Sequence, residues 1–236
     1  MTEEIFRNDA YARSCTATVT ASDDRGIQLD RTVFYATGGG QPGDVGVLRL
    51  GDGRTVVVAE TRRDRESGEH LHVPADNAPR LEVGTVVTAE IDWPRRHRLM
   101  RMHTAMHLLC SLIPQGVTGG AVGEDKSRLD FDLPDTLLDK EHLTAALNRL
   151  VEEDRTIETR WITDAELAAQ PELVRTMSVK PPSGGGRVRL VAIEGVDLQP
   201  CGGTHVARTG EIGRVSIGKI ENKGKHNRRI TLFLED

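Results

Sequence analysis

A chain of 236 residues, 37% hydrophobic and 3% aromatic, is long enough for one large or two small domains with a real core. It has no run of 18 apolar residues, which excludes a helical membrane span. The net charge of -5 excludes a general polycation, and three cysteines cannot all pair, so a disulfide scaffold is not expected. The polar, acidic start MTEEIFRND has no apolar segment of the secretory kind, and the expected location is the cytoplasm.

The first 92 residues read as strands. Alternating patterns cover Ser14 to Thr20, Gly26 to Tyr35, Val45 to Leu50, Thr55 to Glu60, His70 to Val73 and Val83 to Ile91, with turn signals such as SDDRG, TGGGQPGD and GDGR between them. Five or six short strands without a convincing helix predict a small closed β-barrel over residues 1–92.

The pattern changes at Asp92, a helix-capping residue followed by Pro94 in a first turn. Leu99, Met102, Met106, Leu109 and Ile113 then recur at helical spacing until Pro114 ends the run. A second helix is expected from Asp139 to Arg155, and a third, short one after Thr163, whose partner Glu166 completes a capping box. Strands are expected near Arg128 to Leu133, Arg155 to Trp161, Arg187 to Ile193, Val215 to Glu221 and Arg229 to Leu234, and Pro181 to Gly186 (PPSGGG) reads as a loop. Residues 93–236 are therefore expected to form an α+β domain, with helices packed on an antiparallel-rich sheet.

The long helix carries HTAMH, which places His103 and His107 one turn apart on one face, about 5–6 Å from each other at Cβ. His97, six residues before His103, points elsewhere round the helix. Much later comes CGGTH, in which Cys201 and His205 flank a glycine turn able to curl around an ion. Either motif alone is weak. Together they make a His-His-Cys-His set of the kind that holds one zinc ion. Cys15, in an alternating strand, and Cys110, in an apolar run, read as core instead. Structural zinc sites draw on ligands close in sequence, whereas 94 positions separate His107 from Cys201, which favours chemistry over scaffolding. Thr104 stands where the HExxH proteases carry a glutamate base, so an activated ester is a better substrate than a peptide bond.

The run Arg214 to Arg229 holds Lys219, Lys223, Lys225, Arg228 and Arg229 against the single acid Glu221, a local excess able to meet phosphates or simply a solvated hairpin.

RMHTAMHLLCSLI, CGGTHVARTGEIG and KIENKGKHNRRI resemble the editing domain of alanyl-tRNA synthetase, and VFYATGGGQPGDVG is similar to the segment preceding it. With no adenylating core, the whole chain resembles the free-standing alanyl-tRNA editing proteins, the AlaX family, in their medium form. The resemblance implies a trans-editing, zinc-dependent hydrolase that removes serine, with glycine a further candidate, from the acceptor end of alanine tRNA. By position, His103, His107, Cys201 and His205 would hold one zinc per chain. Gly39, Gly40 and Gln41 match a Gly-Gly-Gln element of the family, and the hydroxyl of Thr37 would meet a serine side chain. The TGGGQP segment also reads simply as a hairpin turn whose glycines take positive φ. The Lys and Arg residues at 219, 223, 225, 228 and 229 would meet tRNA phosphates. Editing of another mischarged tRNA, an RNA-binding translation accessory with a structural zinc, and a small-molecule metallohydrolase remain as alternatives.

Overall fold

The computed structural model describes residues 2–133, 138–175 and 186–235. The chain divides into two compact units, Met1–His97 and Arg98–Asp236. Of the expected loop Pro181 to Gly186, only Gly186 lies among the described residues.

The first unit contains strands β1 (Glu3–Glu4), β2 (Ser14–Asp23), β3 (Gly26–Leu29), β4 (Arg31–Thr32), β5 (Gly46–Leu50), β6 (Thr55–Arg63), β7 (His70–Pro74) and β8 (Val86–Ile91). Six of them close a barrel in the order β2-β3-β7-β6-β5-β8, every neighbouring pair antiparallel. The alternation expected of such strands is present: in β6, Val56 and Val58 point inward while Thr55 and Val57 face solvent. The barrel core gathers Val19, Leu29, Leu48, Val87 and Ala89 around Phe34. Cys15 is partly buried against this core and Cys110 is buried in the second unit, both unpaired.

Two expected strands are shorter than their alternation suggested. The stretch from Gly26 to Tyr35 divides after Leu29: β4 pairs with β1 instead of joining the barrel, and beyond it side chains take the amides. Phe34 N–H donates to Thr32 Oγ1 at 3.0 Å and Tyr35 N–H to Asp44 Oδ2 at 2.6 Å. The last strand begins at Val86 instead of Val83, since Gly84 takes φ 90° inside a turn closed by Thr85 N–H to Glu82 O at 3.1 Å.

Helix α1 (Trp93–Leu112) starts as expected: the Asp92 carboxylate accepts from Arg95 N–H at 3.1 Å. From Met102 to Cys110 every residue is buried, so this helix is enclosed on all sides rather than amphipathic. The second unit continues through β9 (Val117–Ala121), β10 (Lys126–Asp132), α2 (Lys140–Glu152), β11 (Ile157–Thr163), α3 (Asp164–Ala168), β12 (Arg187–Ile193), β13 (Asp197–Pro200), β14 (Val215–Lys223) and β15 (Asn227–Leu234). They form an antiparallel sheet in the order β14-β15-β10-β9 and another in the order β11-β12-β13. Helix α2 buries Leu143, Leu147 and Val151 and packs on β14, where the Asn148 amide clamps both backbone groups of Val215 at 2.8 and 3.0 Å. Thr163 and Glu166 make the expected capping box of α3. The protein is α+β, and among the described residues no helix is long and apolar enough to cross a membrane.

Candidate metal centre

In the second unit, His103, His107, Cys201 and His205 offer ligand atoms that all lie within 4.8 Å of one another. Helical spacing on α1 delivers the first two, with ring centroids 5.3 Å apart. The other two come from the loop leaving β13. Its start is fixed by the sheet, since Cys201 N–H donates to Arg189 O at 3.1 Å. The Arg189 guanidinium, buried on β12, then holds the loop's shape by donating from one nitrogen to Cys201 O at 3.0 Å and Gly203 O at 2.8 Å. His205 is thereby placed over both helix histidines, 4.3 Å from the ring of His103 and 4.5 Å from that of His107.

The donor set fits a tetrahedral zinc ion. Ligand bonds of zinc to sulfur and nitrogen put S and N about 3.6 Å apart across a tetrahedral angle. Cys201 Sγ lies 3.6 Å from His103 Nε2 and 3.2 Å from His205 Nε2. Nitrogen and thiolate donors in this number suit zinc better than magnesium or calcium, which take oxygen.

The electrostatics favour a ligating thiolate. Burial alone would push the Cys201 thiol pKa up, yet the adjacent imidazoles of His103, His205 and His107 hold it well below its ordinary value. Gly203 N–H adds a contact to the sulfur at 3.4 Å. Burial, reinforced by the charge of His103, holds the His205 pKa well below the usual imidazole range, so that ring stays neutral. Burial disfavours a charged His107 too, but its hydrogen bonds to Asp197 and Cys201 outweigh it and raise the pKa to about 9.

The contacts of Asp197, of Gln199 and of the Thr104 hydroxyl behind the ligands escaped sequence reasoning. Asp197, on β13, accepts through Oδ2 from His107 Nδ1 at 3.1 Å and from Gln199 Nε2 at 2.7 Å. Thr104 Oγ1 lies 3.1 Å from His205 Nδ1. A histidine ligand needs its second nitrogen oriented, so a carboxylate or hydroxyl within reach was to be expected, but nothing in the local pattern says which. Asp130 does not play that part: it forms a two-pronged pair with Arg229 at 2.7 and 2.8 Å.

The remaining sequence candidates fall on other elements. Thr37, Gly39, Gly40 and Gln41 belong to the first unit. Gly38 and Gln41 exchange backbone hydrogen bonds at 3.1 and 2.9 Å across a tight turn, with Gly39 at φ 57° and Gly40 at φ 84°. Positive φ at both central positions is the hairpin geometry that favours glycine. Gly39 and Gly40 are exposed, whereas Gln41 is buried. The Thr37 hydroxyl donates to Thr61 O at 3.2 Å and accepts from Gly43 N–H at 2.8 Å. Gly43 has no room for a side chain, because a Cβ there would sit 1.9 Å from Thr61 O. Lys219, Lys223, Lys225, Arg228 and Arg229 are gathered on the β14–β15 hairpin, where Glu221 pairs with Lys219 at 3.0 Å and Lys223 at 3.4 Å.

Comparison with known proteins gives the family. Residues 188–231 match the family model of the threonyl and alanyl tRNA synthetase second additional domain, and residues 5–95 match that of the class II (A) tRNA synthetases. Over its full length the chain is 37% identical to the alanyl-tRNA editing protein AlaX-M of Methanosarcina acetivorans, covering all of that protein. It is 34% identical to the AlaX-M protein of Saccharolobus solfataricus, with 98% of each chain aligned. The alanine–tRNA ligase of Sulfurisphaera tokodaii aligns at 31% identity with 93% of this chain but only 25% of its own length. The chain belongs to the AlaX-M family of alanyl-tRNA editing proteins.

Proposed function

We propose that the protein is a zinc-dependent hydrolase acting in trans in the cytoplasm on alanine tRNA that carries a wrong amino acid, serine foremost and glycine as a further candidate. The observation that carries this reading is the convergence of HTAMH and CGGTH, 94 positions apart, into one buried four-donor cluster. Full-length relatives bearing the name of alanyl-tRNA editing protein supply the substrate class. In domain terms, residues 1–92 form the barrel with the Gly-Gly-Gln turn, and residues 93–236 form the deacylase.

His103, His107, Cys201 and His205 hold one zinc, which when bound supplies a Lewis acid for an ester carbonyl or a water molecule. In the net reaction, water adds to the ester carbonyl, the bond to the ribose oxygen breaks and that oxygen takes a proton. Asp197 and Thr104 orient two of the imidazoles. No carboxylate stands beside His103 as a base, since Thr104 occupies that position, which agrees with an ester rather than an amide as the target. Thr37 keeps one lone pair able to accept from a serine hydroxyl, a group alanine lacks. The exposed Lys219, Lys223 and Lys225 meet tRNA phosphates, with Arg228 and Arg229 beside them.

The test is deacylation of seryl-, glycyl- and alanyl-tRNA of the alanine type, with and without a chelator. Serine release that stops on chelation is expected, and absence of serine release in every condition would end the proposal. A purely structural zinc is the competing reading, favoured by a donor set supplied entirely by the protein. Under that reading, chelation unfolds the second unit together with any loss of activity, which circular dichroism would register.

A further inference from the structure

We infer that Thr104 is a positioning residue that holds His205 with its proton on Nδ1, and that His205 is consequently a weaker, more readily exchanged metal ligand than His107. The inference rests on the zinc reading of this centre and says how unequal its ligands are.

The hydrogen bonds around Thr104 admit one assignment. Its hydroxyl has one hydrogen to give and lone pairs to receive. It contacts Met100 O at 2.9 Å, His205 Nδ1 at 3.1 Å and Val206 N–H at 3.3 Å. Met100 O can only accept, so the hydroxyl hydrogen goes to it. Val206 N–H can only donate, and takes up a lone pair. The contact to His205 is satisfied only if Nδ1 carries the proton and donates. The opposite tautomer would leave two acceptors facing each other, Oγ1 and Nδ1 at 3.1 Å or, with the hydroxyl turned to Nδ1, Oγ1 and Met100 O at 2.9 Å, in a place where Thr104 has no solvent contact to relieve them. With Nδ1 protonated, Nε2 presents its lone pair beside Cys201 Sγ at 3.2 Å. Thr104 therefore does for His205 what a base in its position could not: it donates into the helix and accepts from the ligand.

The same reasoning separates the two oriented histidines. His107 Nδ1 donates to the Asp197 carboxylate at 3.1 Å, a charged acceptor that increases the electron-donating power of the ring. His205 Nδ1 donates to a neutral hydroxyl that is already shared with two other groups. Asp197 Oδ2 is shared as well, with Gln199 Nε2 at 2.7 Å, so the difference is the charge: the neutral acceptor raises basicity less. Thr104 is one residue from His103 and Val206 is one residue from His205, so a single hydroxyl ties the helix half of the cluster to the loop half.

The test uses the full chain with zinc as the probe, and measures affinity by competition with a chromophoric chelator. Thr104→Val keeps the shape and removes the hydroxyl, and zinc affinity should fall about 10- to 100-fold. Thr104→Ser keeps the hydroxyl and should restore affinity. In long-range 1H–15N spectra of the zinc-loaded protein, a slowly exchanging Nδ1–H of His205 should be present in the parent and Thr104→Ser and lost in Thr104→Val. His205→Ala should hold zinc more tightly than His107→Ala. Unchanged affinity and an unchanged His205 Nδ1–H signal in Thr104→Val would overturn the role of Thr104, and zinc held more tightly by His107→Ala than by His205→Ala would overturn the ranking. Failure of the parent chain to bind zinc at all would instead remove the metal reading on which both depend.

Discussion

Arg96 and Asp44 form an ion pair sealed from water, with side chains 0% and 1% exposed. Arg96 Nε reaches both carboxylate oxygens at 2.9 and 3.0 Å, and its other nitrogens donate to Ala10 O and Val33 O. Asp44 in turn accepts from Tyr35 N–H. The pair thus joins the first turn of α1 to the loop that follows the Gly-Gly-Gln turn, within the first unit. Arg96→Met strands a buried carboxylate and should cost about 3–5 kcal/mol of stability in urea unfolding. Adding Asp44→Asn should recover part of the loss, because the two changes act on one interaction.

Thr37→Val should leave tRNA binding in place while eroding preference for serine over alanine, read as the ratio of kcat/KM for the two aminoacyl esters. Thr37→Ser should retain the preference. The valine change also removes the bonds to Thr61 O and Gly43 N–H, so a stability loss of about 1 kcal/mol should accompany it. Unaltered discrimination in a folded Thr37→Val protein would exclude the hydroxyl from substrate choice.

Charge on the β14–β15 hairpin separates into two kinds. Lys219 and Lys223 flank Glu221, and Lys225 is exposed, so Ala at all three should weaken tRNA binding. The salt dependence should flatten as well, by about one unit of log–log slope for each phosphate left without its cation. Arg229 is committed to Asp130. Arg229→Ala should therefore lower the unfolding temperature of the protein as well as, or instead of, its tRNA affinity.

Acid should loosen the first unit in two stages. His72 is buried, donates from Nδ1 to Ile27 O at 3.0 Å and meets Thr32 Oγ1 at Nε2 at 2.8 Å. Burial, aided by the neighbouring His70, depresses its pKa from 6.5 to about 3. The unfolded chain takes up a proton below about 6.5 and the folded one does not, so stability is full above that pH and falls steadily toward 3. Glu4 opposes its own burial through His70, Arg7 and Arg63, which bring its pKa from 4.5 down to about 2. Its contribution is present above 4.5 and is lost as pH falls toward 2. A His72→Asn protein should show a flatter stability curve between pH 6 and pH 4 in thermal melts, whatever its starting stability.

The sequence disclosed the barrel through alternation and the long helix through spacing, because those patterns record burial directly. It hid β9, whose VTGGA is mostly glycine and alanine, and β13, whose DLQP ends in proline. Both are strands by virtue of their neighbours rather than their composition. The four clustered residues were legible since histidine and cysteine at such spacings are the residue types of a metal site. Asp197, Gln199 and the hydroxyl of Thr104 were not, because each acquires its role from contacts made 90 to 101 positions away in the chain.

The distance between HTAMH and CGGTH along the chain also bears on how the protein matures. A ribosome adds about 5–20 residues per second, so the 94 positions after His107 take roughly 5 to 19 seconds to make. Throughout that interval the nascent chain holds the two helix histidines without Cys201 and His205, the other half of the cluster. Assembly of the four-residue cluster therefore comes late in biogenesis, once the β12–β13 hairpin has formed and set Cys201 in place.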